Sequence, residues 1–384
     1  MSTAVAAERA ALLRAWALEA GFDRAGVARL EPSDHGEALR RWLERGDHAS
    51  MEWLERRVEA RTDPRRLLDG ARSALCVALH YAPLRDEGEP DGDLWPRVAR
   101  YARGADYHDL MTRRLRTLGE RVEGSFPGAR SRAYVDTGPI LERELAQRAG
   151  LGRIGKNTNL LHRQGSWFLL GELLLTLELE PDQPIAADLC GTCTLCLEAC
   201  PTGALPEPYR LDSRRCISYW TIEHRGAIPP ERRAEIGDWV FGCDVCQEVC
   251  PWNRKPGRDG VRDYEHPELR LPPERVELDL DALMGLDADG YVRRFRGSPM
   301  KRAKRAGLRR NAAIAAGNRR DPARLAALRA SLEDSDPLLR RHAAWALGRL
   351  ATPPAAAALR GALRREGDGS VRCELLAALA ARGS

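Results

Sequence analysis

The first half of the chain alternates between stretches with helical periodicity and short apolar runs. Apolar side chains recur three to four positions apart, as on one face of a helix, in the stretches 7–20, 39–59, 107–122 and 138–149. Short runs rich in apolar residues predict strands at 73–81, 131–135 and 168–178. Because strands alternate with helices, we expect an α/β or α+β layer packed around one sheet.

The last part of the chain is helical and contains an internal repeat. Asn311-Ala-Ala-Ile-Ala-Ala-Gly returns 31 residues later as His342-Ala-Ala-Trp-Ala-Leu-Gly, and Asp336-Pro-Leu-Leu-Arg340 returns as Asp368-Gly-Ser-Val-Arg372. A repeat of this length, with Gly and Pro at the turns, predicts about two HEAT-like helical hairpins. Two hairpins bury little surface between them, so we expect the array to pack on the preceding domain and to offer a binding surface.

Eight of the ten cysteines occur at the spacing of bacterial ferredoxins. The first group follows C-x2-C-x2-C-x3-C-P from Cys190 to Cys200, the second runs from Cys243 to Cys250, and Cys216 lies between them. A cubane iron–sulfur cluster takes four thiolates, and in this pattern the fourth cysteine of a run crosses to the other cluster. The spacing therefore predicts two 4Fe-4S clusters, one bound by Cys190, Cys193, Cys196 and Cys250 and the other by Cys200, Cys216, Cys243 and Cys246.

Structural zinc is the alternative for these cysteines, because zinc also binds Cys-x2-Cys pairs. Zinc ribbons rarely show the x2-x2-x3 spacing, however, so clusters are favoured. Disulfides are not expected, since we identify no secretory signal and a cytosolic protein keeps its thiols reduced. The two remaining cysteines are expected in hydrophobic cores: Cys76 in the run Ala-Leu-Cys-Val-Ala-Leu, and Cys373 in the helical repeat.

A chain of 384 residues is long enough for two or three domains. The motifs predict a first domain over 1–178, a ferredoxin-like domain over 179–260 and a basic linker with helical repeats over 261–384. No stretch approaches the ~20 apolar residues of a membrane span. We therefore expect a cytoplasmic protein that makes no contact with a membrane.

Positive charge is concentrated between residues 293 and 320, which contain eleven Lys or Arg and no Asp or Glu. Such a density is typical of a phosphate-binding surface and indicates contact with nucleic acid. The candidate contacts are Lys301, Arg302, Lys304 and Arg305. The alternative is an ordinary solvated helix face, since the whole chain is rich in arginine.

Gly150-Leu-Gly-Arg-Ile-Gly155-Lys156-Asn157 differs from a P-loop by one residue, with Asn157 where a Ser or Thr would hold magnesium. A P-loop follows a strand and opens a helix, whereas here a helix is predicted before the motif. An ATPase is therefore not expected. The sequence still predicts a loop that holds a polar or anionic ligand through its backbone N–H groups, formed by Gly152, Gly155, Lys156, Asn157 and Thr158.

Several motifs that precede the cysteines identify a family when they are taken together. They are Arg100-Tyr101-Ala-Arg-Gly104-Ala-Asp106-Tyr107-His108, Asp136-Thr137-Gly138-Pro139-Ile-Leu-Glu142-Arg143, Gly155-Lys156-Asn157-Thr158-Asn159 and Gly165-Ser166-Trp167-Phe168. The chain resembles the epoxyqueuosine reductase family over about residues 1 to 320, and the HEAT-like tail fits its longer members. The resemblance implies an α+β or α/β cobalamin-binding domain, a ferredoxin-like two-cluster module and helical repeats.

The resemblance also implies the reaction, the cofactors and the partners. Such enzymes remove the epoxide oxygen from epoxyqueuosine at the wobble position of tRNAs with GUN anticodons, leaving queuosine and water. Electrons from an external low-potential donor pass through the two clusters to cobalamin. The implied cobalamin contacts are Tyr107, His108, Asp136, Gly155, Lys156, Asn157, Thr158 and Ser218. A monomer is expected.

Opening an epoxide requires a proton on the leaving oxygen, and the resemblance gives this role to Asp136. The alternative is that Asp136 caps the helix predicted at 138–149, and Asp106 likewise could only cap the helix after it. Tyr107 and His108 would line the substrate pocket or touch the corrin. The chain lacks the Asp-x-His-x-x-Gly loop that gives cobalt a histidine in many corrinoid proteins, so we expect base-off cobalamin without a protein histidine ligand.

Functions of other classes share some of these features. A reductive dehalogenase-like corrinoid enzyme acting on a small molecule would use the same cofactors, but it would need neither the basic stretch nor the helical array. A pure electron-transfer ferredoxin would not need about 180 residues before its clusters. A zinc-dependent nucleic-acid scaffold would lack the absorbance of iron–sulfur clusters near 400 nm.

Overall fold

The computed structural model describes residues 3–81, 97–254, 266–270 and 278–381. The chain forms two compact units, each assembled from three separate stretches. The first contains Met1–Arg85, Asp106–Arg214 and Val245–Leu269; the second contains Asp86–Ala105, Arg215–Asp244 and Arg270–Ser384. The predicted domain boundaries at residues 178 and 260 were placed by cofactor-binding motifs and not by compactness. They stay a prediction. The second of these boundaries lies outside the described residues.

The strands are short except for the two that form the centre of the main sheet. They are β1 Arg24–Arg29, β2 Ser73–His80, β3 Arg97–Val98, β4 Ser131–Tyr134, β5 Arg153–Ile154, β6 Leu160–Leu161, β7 Phe168–Leu175 and β8 Trp239–Phe241.

The helices of the first two-thirds of the chain are α1 Thr3–Glu19, α2 Gly36–Glu44, α3 Val58–Thr62, α4 Tyr107–Ser125, α5 Glu142–Arg148, α6 Leu195–Glu198, α7 Pro230–Arg233, α8 Val245–Glu248 and α9 Pro251–Arg254. They are followed by α10 Leu280–Met284, α11 Ala288–Phe295, α12 Lys304–Arg319, α13 Leu325–Ser331, α14 Pro337–Leu350, α15 Pro353–Arg365 and α16 Gly369–Ala380. Among the residues described, no helix is both long enough and apolar enough to cross a bilayer.

The first unit is built on a four-stranded sheet in the order β1-β2-β7-β4, in which every neighbouring pair is antiparallel. Successive residues of a strand point to opposite faces, and helices cover both faces. Met111 and Leu115 of α4 face Gly171 of β7, whereas the neighbouring Leu170 shares a core with Ala146 of α5. The result is an α+β layer, and β2 is buried at all eight positions because both of its faces are covered.

One close approach in this layer requires a glycine. A Cβ atom on Gly26 of β1 would lie 2.1 Å from the carbonyl oxygen of Ala149, at the end of α5. No side chain fits at that distance, so the missing Cβ lets α5 lie directly on the sheet. This contact fixes the helix that follows the Asp136 loop.

The sequence pattern locates most elements of this unit but misjudges two. Strands β2, β4 and β7 and helices α1 and α4 lie where they are predicted, whereas β1 is not predicted at all. The single helix predicted over 39–59 is wrong, because Gly46, Ala49 and Arg57 have positive φ and left-handed residues interrupt a right-handed helix. The segment forms α2, a 3₁₀ turn at Glu52–Leu54 and α3 instead.

The second unit is mainly helical in its described part, with β3 and β8 forming a short parallel pair. Helices α12, α14 and α16 pack side by side, with α13 and α15 against them, as in a HEAT-like array. One hydrophobic core runs from Val98 and Phe241 through Leu308 and Leu347 to Leu375. As expected, the repeats do not stand alone.

Polar side chains join this array to the segment that precedes it. The buried Arg310 guanidinium donates to the carbonyl oxygens of Trp220, His224 and Gly226, and the Asn311 amide donates to those of Thr221 and Val240. Backbone carbonyls that would otherwise be buried without donors are thereby satisfied. Arg310 therefore belongs to the fold and not to a phosphate-binding surface.

The two cysteines outside the ferredoxin pattern have different outcomes. Cys76 is fully buried in β2, as predicted. The prediction that Cys373 lies in the core is wrong, because its side chain is exposed on α16. Helical periodicity turns Val371, Leu375 and Ala378 inward and leaves position 373 on the outer face.

Candidate functional site

Asp136 lies in the loop between β4 and α5, in the first unit. Its φ of 54° is in the left-handed region, and its side chain is 53% exposed. Helix α5 begins only at Glu142, after Leu141, and no side chain caps it. The alternative that Asp136 is a helix cap is therefore wrong, and its carboxyl is available for other chemistry.

The Asp136 carboxyl is hydrogen-bonded to His108, which lies in the first turn of α4. His108 Nε2 is 3.0 Å from Asp136 Oδ2, and His108 Nδ1 is 2.7 Å from Asp106 Oδ1. Asp106 also caps α4 by accepting a hydrogen bond from the backbone N–H of His108. The helix cap that was the alternative for Asp106 is present, and the same carboxylate also orients the imidazole.

The environment of His108 favours its charged form. Burial opposes protonation of the imidazole, but the hydrogen bonds to Asp106 and Asp136 outweigh it and raise the pKa of His108 to about 9. The ring of Tyr107 stacks on the imidazole with 4.1 Å between centroids. His108 therefore carries a proton at neutral pH, between one buried and one exposed carboxylate.

Two further acids lie near this group, and the sequence analysis gave neither of them a role. Glu142 Oε2 accepts a hydrogen bond from the backbone N–H of Asp136, and burial together with the Asp136 charge raises the pKa of Glu142. Glu172 of β7, paired with Tyr134 across the sheet, is fully buried, and neither of its carboxyl oxygens has a hydrogen-bond partner among the described residues. The signal for Glu172 in the sequence is an acid inside an apolar strand.

Burial, followed by the charges of Glu142 and Asp136, raises the pKa of Glu172 well above its ordinary value. A carboxyl that is buried without a donor is held in its neutral form, since the charged form would be far more costly. The sheet therefore holds a buried acid whose neutral form is favoured and whose pKa responds to the charge of Asp136.

A second site in the first unit gathers the first predicted set of cysteines. The thiols of Cys190, Cys193, Cys196 and Cys250 line one pocket, which also contacts Lys156, Asn157, Leu161, Leu189, Leu195, Pro251 and Trp252. Burial and the neighbouring Cys190 raise the pKa of Cys196 to about 11. Metal ligands must be deprotonated, so these four cysteines would bind a cationic centre as thiolates.

The loop after β5 lies against these cysteines. Lys156 Nζ donates to the carbonyl oxygens of Gly191 at 2.7 Å and Cys193 at 2.9 Å, and the Lys156 backbone N–H is 3.4 Å from Cys190 Sγ. Asn157 Nδ2 donates to the carbonyl oxygen of Cys246. The loop positions the cysteine segments, a role that sequence analysis did not assign to it.

The same loop has no P-loop geometry, as the sequence analysis expected. Strands β5 and β6 pair as an antiparallel hairpin around Gly155 and Thr158, so no helix begins after the lysine. Thr158 has a φ of 67°, and its carbonyl oxygen accepts a hydrogen bond from Arg143. Arg143 lies on α5, so this contact connects the loop to the helix behind Asp136.

The second predicted set of cysteines is divided between the two compact units. Cys200 and Cys246 belong to the first unit, and Cys216 and Cys243 belong to the second. Cys200 Sγ accepts a hydrogen bond from the backbone N–H of Ala204 at 3.3 Å. Ser218, an implied cobalamin contact, is half-buried in the second unit immediately before the π-helical turn Tyr219–Glu223. The shared cluster of these four cysteines stays a prediction, as does the role of Ser218.

The basic stretch is only partly available to a ligand. Arg309, Arg310 and Arg319 are bonded to protein groups, with Asp334 and Asp238 as the carboxylate partners of the first and last. Of the four candidate contacts, Lys301 and Lys304 are exposed, Arg302 is exposed but ion-paired with Glu223, and Arg305 donates to the carbonyl oxygen of Leu286. Dense positive charge in sequence thus overstates the positive charge of the surface.

Family models match three parts of the chain. A model described as "Epoxyqueuosine reductase QueG, DUF1730" matches residues 61–137, a 4Fe-4S double cluster binding domain matches 189–253, and HEAT repeats match 300–380. These matches contain the Asp106–Asp136 segment, all eight cysteines of the ferredoxin pattern and the helical array. They confirm the predicted fold class.

Several relatives match about four-fifths of the chain. The epoxyqueuosine reductase of Xanthomonas campestris pv. campestris is 41% identical over 320 residues, covering 81% of this chain and 87% of that protein. The one from Escherichia coli is 38% identical over 309 residues, covering 80% of each.

The structural matches extend through the helical array. An epoxyqueuosine reductase solved with a tRNA-Tyr epoxyqueuosine-modified tRNA stem loop has a TM-score of 0.89 and 31% identity, covering 98% of this chain and 99% of that one. The structure from Bacillus subtilis, solved with its catalytic loop swung out of the active site, has the same TM-score and identity over 97% of this chain and 99% of that one. With identity of this extent along four-fifths of its length, the chain belongs to the epoxyqueuosine reductase family.

Proposed function

We propose that this protein reduces epoxyqueuosine to queuosine at the wobble position of tRNAs with GUN anticodons. Its membership of the epoxyqueuosine reductase family supports this activity. The observation that carries the proposal is Asp136, an exposed carboxyl that caps no helix and is hydrogen-bonded to a histidine whose pKa is raised. An acid held in this way suits the protonation that opening an epoxide requires.

The proposed reaction consumes two electrons and two protons and releases the epoxide oxygen as water. Asp136 donates a proton to that oxygen as a carbon–oxygen bond breaks. Its loop is anchored from both sides, because Glu142 accepts from the Asp136 backbone N–H and Arg61 donates to the carbonyl oxygen of Gly138. Anchoring holds the acid within reach of the substrate and reduces the entropy lost in the transition state.

Two 4Fe-4S clusters supply the electrons in this proposal, with the ligand sets predicted from the cysteine spacing. The match to a double-cluster domain supports iron over structural zinc. The pocket formed by Cys190, Cys193, Cys196 and Cys250 supports the first set. An N–H group directed at a cluster sulfur raises its potential, so the Lys156 backbone would tune this cluster.

Cobalamin is the proposed partner of the clusters, and the residues around Asp136 fit a corrinoid that receives no histidine. Both ring nitrogens of His108 are already engaged by Asp106 and Asp136, so this imidazole has no lone pair to give to cobalt. Tyr107, His108 and Asp136 would contact the group, together with Ser218 and the loop Gly155, Lys156, Asn157 and Thr158. When bound, cobalamin supplies electrons one at a time beside the substrate.

The proposed macromolecular partner is tRNA that carries epoxyqueuosine. The exposed side chains of Lys301 and Lys304 support contact with the tRNA phosphates. Arg302 and Arg305, which lie beside them in the sequence, would contribute further contacts to the same phosphates. An external low-potential donor would refill the clusters. We propose that the protein acts as a monomer in the cytoplasm, without a membrane partner.

Conversion of epoxyqueuosine in a purified tRNA, followed by mass spectrometry of its nucleosides, tests the activity. The wild-type protein is reconstituted anaerobically with iron, sulfide and cobalamin and supplied with a low-potential reductant. We expect about eight iron atoms per chain, since two cubane clusters contain that number. Asp136→Asn should keep the iron and cobalamin but lower kcat by about 10²–10⁴, the usual effect of losing a general acid.

Asp69→Asn is the matched control, because Asp69 is a fully exposed carboxylate of the same unit. It should turn over like wild type. If the loaded wild type leaves epoxyqueuosine-tRNA unchanged, the proposed function is wrong. If Asp136→Asn turns over at the wild-type rate with full cofactor content, Asp136 is not the proton donor.

A further inference from the structure

Reduction of an epoxide to an alkene places two protons on the same oxygen atom, and Asp136 holds only one. This problem arises from the proposed function and rests on it. Once Asp136 has protonated the oxygen, the carboxylate must be reloaded before the second carbon–oxygen bond can break. The group that reloads it has to be in hydrogen-bond contact with Asp136 and has to carry a proton at neutral pH.

His108 is placed to do this. Its Nε2 lies 3.0 Å from Asp136 Oδ2, within the range of a hydrogen bond along which a proton can move. The imidazole side chain is 28% exposed, so it can recover a proton from solvent after each transfer to Asp136. Among the described residues, His108 is the side chain that forms a hydrogen bond with the Asp136 carboxyl, whereas Glu142 accepts a hydrogen bond from the Asp136 backbone N–H.

Asp106 completes the arrangement from the other side of the ring. Its carboxylate, 2% exposed, accepts from His108 Nδ1 at 2.7 Å and also accepts from the His108 backbone N–H. The cap therefore holds the ring at a fixed orientation, with Nδ1 toward Asp106 and Nε2 toward Asp136. A buried carboxylate behind an imidazole stabilises the imidazolium and sets which nitrogen faces the reaction.

We propose that Asp106, His108 and Asp136 form a proton relay in which His108 reloads Asp136, so that one exposed acid delivers both protons of the reduction. Asp106 positions the His108 imidazole, and His108 acts on the substrate only through Asp136. The relay gives a reason for the burial of the Asp106 carboxylate, which a helix cap alone would not require.

The proton transfers balance the reaction. His108 Nε2–H passes its proton to the Asp136 carboxylate, which gives it to the epoxide oxygen as the first carbon–oxygen bond breaks. His108 then takes a proton from water and passes it to the Asp136 carboxylate again. Asp136 gives this second proton to the hydroxyl oxygen as the second carbon–oxygen bond breaks. Water leaves, the carbon–carbon double bond forms, and the low-potential donor supplies the two electrons. Neutral His108 keeps its Nδ1–H toward Asp106 and takes a new proton from water.

The charges that face His108 support a proton-loaded resting state. Asp106 precedes α4, Asp136 lies in the loop after β4, and Glu142 lies on α5, and all three are acids. Burial opposes the charged imidazole, yet the two hydrogen-bonded carboxylates raise the pKa of His108 to about 9. Below that pH His108 holds the proton that it passes to Asp136, and above it that proton is missing.

The test uses three variants of the loaded enzyme. His108→Gln can donate to Asp136 but cannot carry a proton to it. Asp106→Asn keeps a good helix cap but removes the charge behind the imidazole. His35→Gln is the control, since His35 is a half-exposed histidine of the same unit outside the proposed site. Carbon-13 labelling of the eight histidines makes each titration visible by NMR, and the signal missing from His108→Gln identifies His108.

We expect the His108 signal of the resting wild type to titrate near pH 9, and the alkaline limb of its kcat profile to fall at the same pH. Asp106→Asn should move both transitions down together by about one to three units, the usual effect of one neighbouring charge. His108→Gln should lower kcat by about 10²–10⁴ with KM for tRNA unchanged, and should lose the alkaline limb. His35→Gln should match wild type in every measurement.

Two results would overturn the relay. One is a His108→Gln enzyme with wild-type kcat and pH profile. The other is an Asp106→Asn enzyme whose His108 titration does not move, or whose titration moves while the kcat profile stays in place. A wild type without any turnover would instead contradict the proposed function. The NMR titration of the resting protein would still decide between a coupled and an uncoupled Asp106–His108 pair.

Discussion

The protonation state of each acidic or basic residue in this site depends on its burial and on its hydrogen-bond partners. His108, Glu142 and Glu172 lie close to Asp136, yet their environments act in different ways. Two carboxylate partners keep His108 charged, whereas burial without a donor keeps Glu172 neutral. Groups whose pKa values are shifted away from their ordinary range are typical of sites of acid–base catalysis.

Glu172 provides a test at this scale through the pH dependence of stability. Its pKa is raised in the folded protein, so above about pH 4.5 the unfolded chain releases a proton that the folded protein keeps. Folding stability contributed by this group is thus fully present at low pH and is lost as pH rises, by about 1.4 kcal/mol per unit for one proton. Glu172→Gln should remove that loss, so its stability relative to wild type should increase between pH 5 and 7.

The measurement is anaerobic urea unfolding of both proteins at pH 5, 6 and 7, followed by circular dichroism. Glu178→Gln, at an exposed acid that follows the same strand, is the control and should leave the pH dependence as in wild type. Parallel pH curves for wild type and Glu172→Gln would mean that Glu172 is ionised in the folded protein.

At the scale of elements, helix α16 depends on a buried ion pair. Arg233 of α7 donates to both carboxyl oxygens of Glu374 at 2.7 and 2.9 Å, and the two side chains are 0% and 6% exposed. A charge buried in this way is tolerated only while its partner is present. The pair therefore ties the last helix of the array to the segment before β8.

Glu374→Gln should lower the free energy of unfolding by about 3–5 kcal/mol, because it leaves the Arg233 guanidinium buried without a counter-charge. Urea unfolding followed by tryptophan fluorescence measures this. Glu333→Gln breaks the exposed pair with Arg365 and should cost no more than about 1 kcal/mol. Replacing both partners, as Arg233→Met with Glu374→Leu, should recover most of the loss. Equal losses of stability in Glu374→Gln and Glu333→Gln would show that the buried ion pair stabilises the protein no more than the exposed one.

At the scale of the whole molecule, the basic stretch is a mixture of structural and exposed charge. Arg309, Arg310 and Arg319 hold the fold together, while Lys301 and Lys304 face solvent. Only exposed charges release counterions when a phosphate backbone binds. We therefore expect tRNA affinity to depend on fewer cations than the sequence contains.

Changing Lys301, Arg302, Lys304 and Arg305 to Gln should weaken tRNA binding and lower its salt dependence. Each lost phosphate contact should reduce the slope of log affinity against log salt by about 0.7 to 0.9. The two exposed lysines should account for most of the effect, since Arg302 is paired with Glu223 and Arg305 with a carbonyl oxygen. A salt titration of tRNA affinity for both proteins is the measurement.

A variant with the same change in net charge separates local contact from overall charge. Arg360, Arg364, Arg365 and Arg372 are exposed on the last two helices and can also be changed to Gln. This control should bind tRNA with a salt slope close to that of wild type. Equal losses in the two quadruple variants would assign the effect to net charge, and unchanged affinity in the first would assign the stretch to ordinary surface.

Local patterns in the sequence determined the repeat, the main strands and the cysteine spacing. A strand that is buried on both faces, such as β2, is a continuous apolar run and can be recognised without its neighbours. Cysteines that bind a cluster keep their spacing because neighbouring thiolates must reach one small cofactor. The exposed side chain of Cys373 shows the limit of such patterns, since helical phase depends on which neighbours cover the helix.

Only the tertiary structure decided how distant polar groups meet. Asp106 and His108 lie about thirty residues before Asp136, and Glu172 lies on another strand, so their protonation states arise from contacts that no local pattern contains. The role of Arg310 also arises from distant contacts, because its guanidinium donates hydrogen bonds to three backbone carbonyl oxygens. Sequence specifies which groups can titrate or bind, whereas burial and hydrogen-bond partners, created only by folding, decide which of them do.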